Sequence, residues 1–150
     1  MTESIANALT IAGVDPSGGA GVLADVKAMR ACGVYATAVV TALTAQNTQG
    51  VAGIHPVPPD FVRQQLEVLF DDVRVDAVKV GMLASCDIIR AVADVLGRRH
   101  GGPVVVDPVM VATSGDRLLP EASCQVLIRT LLPIATLITP NLQEASSILG

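Results

Sequence analysis

The sequence has few aromatic residues and no excess of basic ones. Of its 150 residues only 2% are aromatic, and 10 Lys and Arg stand against 14 Asp and Glu, which gives a formal net charge of −4. Nucleic-acid binding requires a basic surface and usually aromatic platforms on which bases stack. The composition therefore favours a small-molecule ligand and argues against a nucleic-acid partner.

Cysteine motifs and long apolar runs are also missing. Cys32, Cys86 and Cys124 lie far apart and form no CxxC pair, which argues against a disulfide framework or a zinc site. The most apolar stretch, 34–45, is short and interrupted by threonines, and no basic region typical of a signal peptide precedes it. We therefore expect buried, reduced thiols, a cytoplasmic location and no membrane partner.

What the sequence does contain is a regular alternation of apolar runs and amphipathic segments. Short runs rich in Val, Ile and Thr predict buried strands at 8–12, 34–43, 75–80, 104–106 and 135–139. Apolar residues three and four positions apart predict helices at 21–31, 60–70, 87–99 and 121–132. This alternation indicates an α/β fold, with a mainly parallel central sheet and helices on both faces. We expect one domain or part of one.

In sheets of this kind, ligands bind beyond the carboxyl ends of the strands. The candidate site residues are therefore those that directly follow the apolar runs. They are the turn 15–21, Gln46 and Asn47, Gly81 and Met82, Asp107, and the segment 141–144.

The turn 15–21 is rich in glycine and lies between a predicted strand and a predicted helix. Residues 19–24 match the dinucleotide-binding pattern GxGxxG/A, but no acid follows between Asp25 and Asp60 to hold a ribose. No glycine is followed by Lys and then Ser or Thr, which excludes a Walker A loop. The sequence thus argues against hydride transfer and P-loop chemistry, and it leaves a turn that a ligand can approach closely.

Two polar residues near this turn are candidate binding groups. Asp25 falls in the first two turns of the predicted helix, where favourable interaction with the helix dipole is the alternative explanation. Gln46 closes an apolar run and offers a paired donor and acceptor, which suits the edge of a heterocycle. Its alternative role is to satisfy a neighbouring loop backbone.

Five segments, in order and spacing, carry a resemblance to a known family. They are AGVDPSGGAGVLADVK, TALTAQNTQGV, DAVKVGML, VVVDPVM followed by SGDRLL, and LITPNLQEA. Together they resemble the hydroxymethylpyrimidine/phosphomethylpyrimidine kinases of thiamine biosynthesis, over residues 7–150. The resemblance implies a ribokinase-like three-layer sandwich, with 1–150 as the N-terminal portion of a single kinase domain. It also implies ATP and Mg²⁺ as cofactors, a small-molecule pyrimidine substrate and a homodimer.

The activity implied by the resemblance is two successive phosphoryl transfers from ATP. The first goes to the hydroxymethyl group of the aminopyrimidine and the second to the resulting monophosphate. Carried over position by position, Asp25 and Gln46 would hydrogen-bond the pyrimidine edge and Gly13 would contribute a backbone contact. Met82 and Val109 would form apolar walls of the ring pocket, for which plain core filling is the alternative.

Asp107 and Glu144 are the candidate metal ligands. Pro108 biases Asp107 toward an extended conformation, which aims its carboxylate beyond the strand end. The segment 141–144, Asn-Leu-Gln-Glu, resembles the NxxE motif of the superfamily, which is associated with magnesium and phosphate. The same spacing is typical of a capping box at a helix start.

The family continues to a glycine-rich GTGC-type segment, which supplies the anion hole, the catalytic residue and much of the nucleotide site. No such segment occurs in these 150 residues, and Cys124 lies inside a predicted helix without a glycine turn. We therefore assign no catalytic residue, expect the 150 residues alone to be inactive, and expect a fragment of a longer enzyme. Two alternatives stay open: a pyridoxal-type kinase, or a non-catalytic pyrimidine-binding module if the chain is complete.

Overall fold

A mostly parallel sheet forms the centre of the molecule. The computed structural model describes residues 5–111 and 118–150, so residues 114–117 of the SGDRLL segment lie outside it. Within the described residues the sheet has six strands in the order β3-β2-β1-β4-β5-β6. They are β1 (Asn7–Val14), β2 (Tyr35–Asn47), β3 (Gly50–Pro56), β4 (Ala77–Val80), β5 (Val104–Val106) and β6 (Leu137–Ile138).

Helices fill the connections between these strands. They are α1 (Gly21–Ala31), α2 (Pro59–Asp72), α3 (Cys86–Arg99), α4 (Glu121–Val126) and α5 (Leu142–Leu149). A π-helical turn (Leu127–Leu131) and a 3₁₀ turn (Leu132–Ile134) continue α4. In the parts of the chain that the structure covers, no helix combines the length and apolarity needed to cross a bilayer. The expectation of buried thiols is wrong for Cys32, which is exposed because it directly follows the last turn of α1, whereas Cys86 and Cys124 are half-buried.

The pairing of the strands confirms the mainly parallel sheet. β1 pairs in parallel with β2 and β4, and β5 pairs in parallel with β4 and β6. β3 was not predicted, and it pairs antiparallel with β2 across a tight hairpin. Its residues are largely exposed and include two glycines, because an edge strand needs no continuous apolar run.

The order of the strands places the helices on both faces. From β1, one crossover runs through α1 to β2, whereas the crossovers through α3 and α4 run the opposite way, to β5 and β6. Because parallel crossovers are right-handed, α1 lies on one face and α3 and α4 lie on the other. α2 packs against α3 on that second face. The three-layer arrangement expected from the sequence is confirmed.

The main hydrophobic core lies between the sheet and the second face. Alternate residues of β1 and β4 point into it and meet fully buried side chains of α2 and α3. The strand residues are Leu9, Ile11, Val78 and Val80, and the helix residues are Val62, Leu66, Ile88, Ile89, Val92 and Val95. The intervening residues Thr10 and Lys79 point to the α1 face, where both contact α1. The direction of the crossovers reverses at β1, which positions a crevice at the carboxyl ends of β1 and β4.

Candidate functional site

A cavity of about 690 Å³ opens at the carboxyl ends of the central strands. Its lining comes from the glycine turn, the ends of β1, β2, β4 and β5, and the start of α5. All seven residues predicted to bind substrate or metal line it: Gly13, Asp25, Gln46, Met82, Asp107, Val109 and Glu144. Residues separated by up to 131 positions in sequence are thus brought to one place, as expected for a parallel α/β sheet.

The glycine turn is organised around the carboxylate of Asp15, which is only 4% exposed. Oδ1 accepts hydrogen bonds from the amide and the hydroxyl of Ser17, both at 2.8 Å. Oδ2 accepts from the amides of Gly19 at 3.1 Å and Ala20 at 3.0 Å. Burial alone would raise the pKa of Asp15, but these hydrogen bonds to Ser17, Ala20 and Gly19 lower it. The turn amides that directly precede α1 therefore already have an anionic partner within the chain.

Two glycines give this turn its path. Gly21 has φ +60°, and a Cβ there would lie 2.2 Å from the carbonyl oxygen of Gly13. An isolated bridge between Val14 and Gly21 closes the turn at its base. Gly18 has φ +71°, and the ammonium of Lys27 donates to its carbonyl oxygen. The positive φ angles explain the glycines at these two positions in terms of backbone geometry.

Asp25 is held from two sides. The hydroxyl of Thr10 donates to Oδ2 at 2.6 Å, and the ammonium of Lys79 lies 2.9 Å from Oδ2 and 3.1 Å from Oδ1. The side chains of Asp25 and Lys79 are 18% and 26% exposed. Asp25 lies beyond the first turn of α1, which holds no acidic residue, so the helix dipole does not account for it.

Sequence reasoning missed Lys79 as a site residue, although a signal was present. Lys79 stands between Val78 and Val80 in β4, and a lysine inside an apolar strand needs a partner. Asp15 was included only as part of the turn. Its signal was Ser17 two residues later, which is the spacing of an Asx turn.

Gln46 lies at an irregular position of the β2–β3 hairpin. The register between the two strands shifts between Ala45 and Gln46, which is a β-bulge. Bulges of this kind often re-aim a side chain beside a binding site. Its Oε1 lies 3.1 Å from the hydroxyl of Thr44, so the contact observed is with a side chain rather than with a loop backbone.

Met82 and Gly13 form one wall of the cavity. A Cβ at Gly13 would lie 2.6 Å from Cε of Met82, so the glycine leaves the space that the methionine fills. The backbone of Met82 is fixed because the buried hydroxyl of Thr41 donates to its carbonyl oxygen at 2.6 Å. Met82 and Val109 line the cavity and are not members of the main core cluster, which weakens the core-filling alternative.

Asp107 and Glu144 lie on the opposite side of the cavity from the hairpin. Glu144 is 6% exposed, and its Oε2 accepts from the amide of Asn141 at 2.9 Å. Asn141 Oδ1 accepts from the Glu144 amide at 2.9 Å, so the capping box is present at the start of α5. Oε1 of Glu144 faces the amide of Met110 at 3.4 Å. One carboxylate thus joins α5 to the segment after β5.

The donor chemistry of this pair suits Mg²⁺. Burial raises the pKa of Asp107; the charge of Lys79 opposes this, whereas the charges of Glu144 and Asp25 raise it further. Across 5–111 and 118–150, no group of three or more His, Cys, Asp or Glu side chains could hold a metal ion. Mg²⁺ usually takes one or two carboxylates together with waters and substrate phosphates. Each oxygen of Glu144 keeps a second lone pair, so Asp107 and Glu144 fit that pattern.

Residues 15–150 match the family model described as phosphomethylpyrimidine kinase. The chain is 54% identical over 143 residues to the hydroxymethylpyrimidine/phosphomethylpyrimidine kinase of Salmonella typhimurium, covering 95% of this chain and 54% of that relative. The chain thus spans about half the length of such curated relatives.

Solved structures agree with this match. A phosphomethylpyrimidine kinase from Clostridium difficile 630 superposes with a TM-score of 0.89 at 43% identity, over 95% of this chain and 62% of that one. The pyridoxal kinase of Staphylococcus aureus in complex with AMP-PCP and pyridoxal superposes at 0.84 with 34% identity, over 97% and 51%. These neighbours confirm the ribokinase-like fold. With its fold and its matched sequence in agreement, the chain belongs to the phosphomethylpyrimidine kinase family.

Proposed function

We propose that this chain forms the pyrimidine site of an ATP-dependent kinase. The substrates are 4-amino-5-hydroxymethyl-2-methylpyrimidine and its monophosphate, in thiamine diphosphate biosynthesis. The observation that carries the proposal is the convergence of the fixed carboxylate of Asp25, the amide of Gln46 and the wall formed by Gly13 and Met82 on one cavity. The aminopyrimidine, a heterocycle of about ten heavy atoms, fits a cavity of this size.

The polar groups of the cavity match the pyrimidine edge in kind. The carboxylate of Asp25 accepts a hydrogen bond from an amine or a hydroxyl, and the Gln46 amide pairs with a ring nitrogen and its neighbouring amine. Met82 and Val109 contact the apolar faces of the ring. A ring without those polar groups leaves Asp25 and Gln46 unpaired, which is how such a site discriminates among heterocycles.

Asp107 and Glu144 would hold Mg²⁺ in the same cavity. When bound, the ion and its nucleotide supply the phosphoryl group and neutralise charge that develops during transfer. The family membership and the AMP-PCP complex of the S. aureus neighbour support ATP as the phosphoryl donor. The resemblance also supports a homodimer in the cytoplasm, which we propose together with the activity.

A pyridoxal-type kinase is the second candidate. The S. aureus neighbour holds pyridoxal and has the same fold at 34% identity. Pyridoxal is also a flat ring with a hydroxymethyl group, but it has no exocyclic amine for Asp25 or Gln46. The higher identities to relatives named for pyrimidine substrates favour the aminopyrimidine.

Calorimetric titration of the chain with the aminopyrimidine and with pyridoxal tests the proposal. We expect saturable binding of the aminopyrimidine and weaker binding of pyridoxal. Gln46→Ala should weaken aminopyrimidine binding by about 1–3 kcal/mol, because the partner edge is left unpaired in a partly dry cavity. Gln49→Ala is the matched control, since Gln49 is exposed at the hairpin turn. Tighter binding of pyridoxal, or equal effects of the two substitutions, would contradict the assignment.

A further inference from the structure

Lys79 is the one cationic side chain among the described residues that line the cavity. Four carboxylates line the same cavity: Asp15, Asp25, Asp107 and Glu144. The fold makes room for the ammonium, because a Cβ at position 81 would lie 3.0 Å from Nζ of Lys79 and 3.2 Å from Cβ of Ala12. Gly81, which directly follows β4, therefore leaves the space that the end of the lysine side chain occupies.

The two proposed substrates differ in charge far more than in shape. The alcohol is neutral, whereas a phosphomonoester carries between one and two negative charges at neutral pH. As long as no Mg²⁺ is held by Asp107 and Glu144, a cavity with four carboxylates repels the second ligand and leaves the first nearly unaffected. A site that accepts both therefore needs a feature that offsets this repulsion for the monophosphate.

The glycine turn brings a negative charge close to the start of α1. Free amides at a helix N-terminus are the usual anion site of a glycine-rich turn. Here the amides of Gly19 and Ala20, which directly precede α1, donate to the buried carboxylate of Asp15. A ligand phosphate approaching this turn therefore meets the negative charge of Asp15.

On the basis of the function proposed above, we infer that Lys79 is the residue that lets this cavity accept the phosphomonoester as well as the alcohol. Its ammonium cancels the charge of Asp25 at 2.9 Å, and it is partly exposed to the cavity, with 26% of the side chain accessible. The charge of Lys79 thereby determines whether the cavity binds the phosphomonoester as well as the alcohol. Thr10 helps to hold Asp25 in place, so the carboxylate does not depend on Lys79 alone.

The test compares the dissociation constants of the alcohol and of the monophosphate, measured by calorimetry in Mg²⁺-free buffer on the 150-residue chain and its variants. Lys79→Met should weaken binding of the monophosphate by at least about tenfold more than binding of the alcohol. Asp25→Asn should shift the ratio of the two constants the opposite way, in favour of the monophosphate, because it removes a negative charge. Lys79→Arg keeps the charge and should keep the ratio near that of the unmodified chain.

Arg30→Met is the matched control, because it removes one positive charge from an exposed residue in the last turn of α1. In this control the ratio of the two dissociation constants should stay within about twofold of the ratio for the unmodified chain, since exposed distant charges are screened by salt. Disruption of the fold would weaken binding of both ligands alike. Opposite shifts of the ratio of dissociation constants in Lys79→Met and Asp25→Asn have only an electrostatic cause. Equal weakening of both ligands by a Lys79→Met variant that keeps the circular dichroism spectrum of the unmodified chain overturns the inference. Shifts of the ratio with the same sign in Lys79→Met and Asp25→Asn also overturn it. An unmodified chain that binds neither ligand overturns the proposed function as well.

Discussion

Replacing Asp15 tests how the glycine turn is held together. Its carboxylate accepts hydrogen bonds from four donors, which belong to Ser17, Gly19 and Ala20. A hydrogen bond to a charged group contributes about 1.5–3 kcal/mol. Because those three residues are exposed, water replaces part of what is lost. We therefore expect Asp15→Ala to lower the free energy of unfolding by about 2–4 kcal/mol.

Urea denaturation followed by circular dichroism measures this change, provided that the m-value stays constant. Asp72→Ala is the matched control, because Asp72 is exposed at the last residue of α2, where a carboxylate is unfavourable. It should change stability by no more than about 0.5 kcal/mol. Equal effects of the two substitutions would refute the role given to Asp15.

The effect of Asp15 also depends on pH in a defined direction. Its pKa in the folded protein is lowered below the ordinary value of 3.8. Its stabilising contribution is therefore complete above pH 3.8 and is lost as the pH falls through the lowered pKa. The stability difference between the unmodified chain and Asp15→Ala should shrink in acid. A difference that stays constant down to the acid unfolding transition would contradict the hydrogen-bond account.

Three further predictions concern the substrate, the backbone and turnover. Asp25→Asn should weaken aminopyrimidine binding more than pyridoxal binding in calorimetric titrations, and equal losses would favour a pyridoxal-type kinase. Gly21→Ala should lower the free energy of unfolding by more than about 2 kcal/mol, because its φ is +60° and the new Cβ meets the Gly13 carbonyl. Gly97→Ala, in α3 with no atom within 4 Å of the new Cβ, should instead stabilise by about 0.5–1 kcal/mol in the same urea experiments. The 150 residues alone should phosphorylate the aminopyrimidine negligibly, because anion-hole donors each contribute about a hundredfold or more; substantial ATP-dependent turnover in a coupled assay would show that catalytic groups lie within them.

The central strands could be predicted from the sequence, whereas the edge strand β3 could not. Strands such as β5 (Val104–Val106) are covered on both faces and read as continuous apolar runs. β3 is an exposed edge strand whose Gly50 and Gly53 are typical of turns, so it carries no such run. The segment predicted as a helix at 121–132 is helical, but its α-helical geometry changes to a π-helical turn after Val126 for a local reason. Thr130 donates to the carbonyl oxygen of Val126, and Pro133 cannot continue a regular helix.

The candidate site could be located from the sequence, but its electrostatics could not. The rule that ligands bind beyond the ends of parallel strands selects Gln46, Met82 and Asp107. Asp25 is selected by its place in the helix after the glycine turn and by the family resemblance. The ion pair of Asp25 joins residues 54 positions apart, on a helix and on a non-consecutive strand. Its formation depends on the order of the strands, which places β4 beside β1. Periodicity alone does not report that order.

The closed glycine turn has a consequence for the energetics of ligand recognition. The bridge between Val14 and Gly21 and the hydrogen bonds to Asp15 fix both ends and the middle of the turn within the chain itself. A loop that is ordered only when a ligand arrives subtracts about 1–2 kcal/mol of backbone entropy per residue from the affinity. Here that entropy is already lost during folding, so the segment is preorganised and the ligand meets a rigid wall. Association at this wall should therefore be a single fast phase, with no slower rearrangement after it.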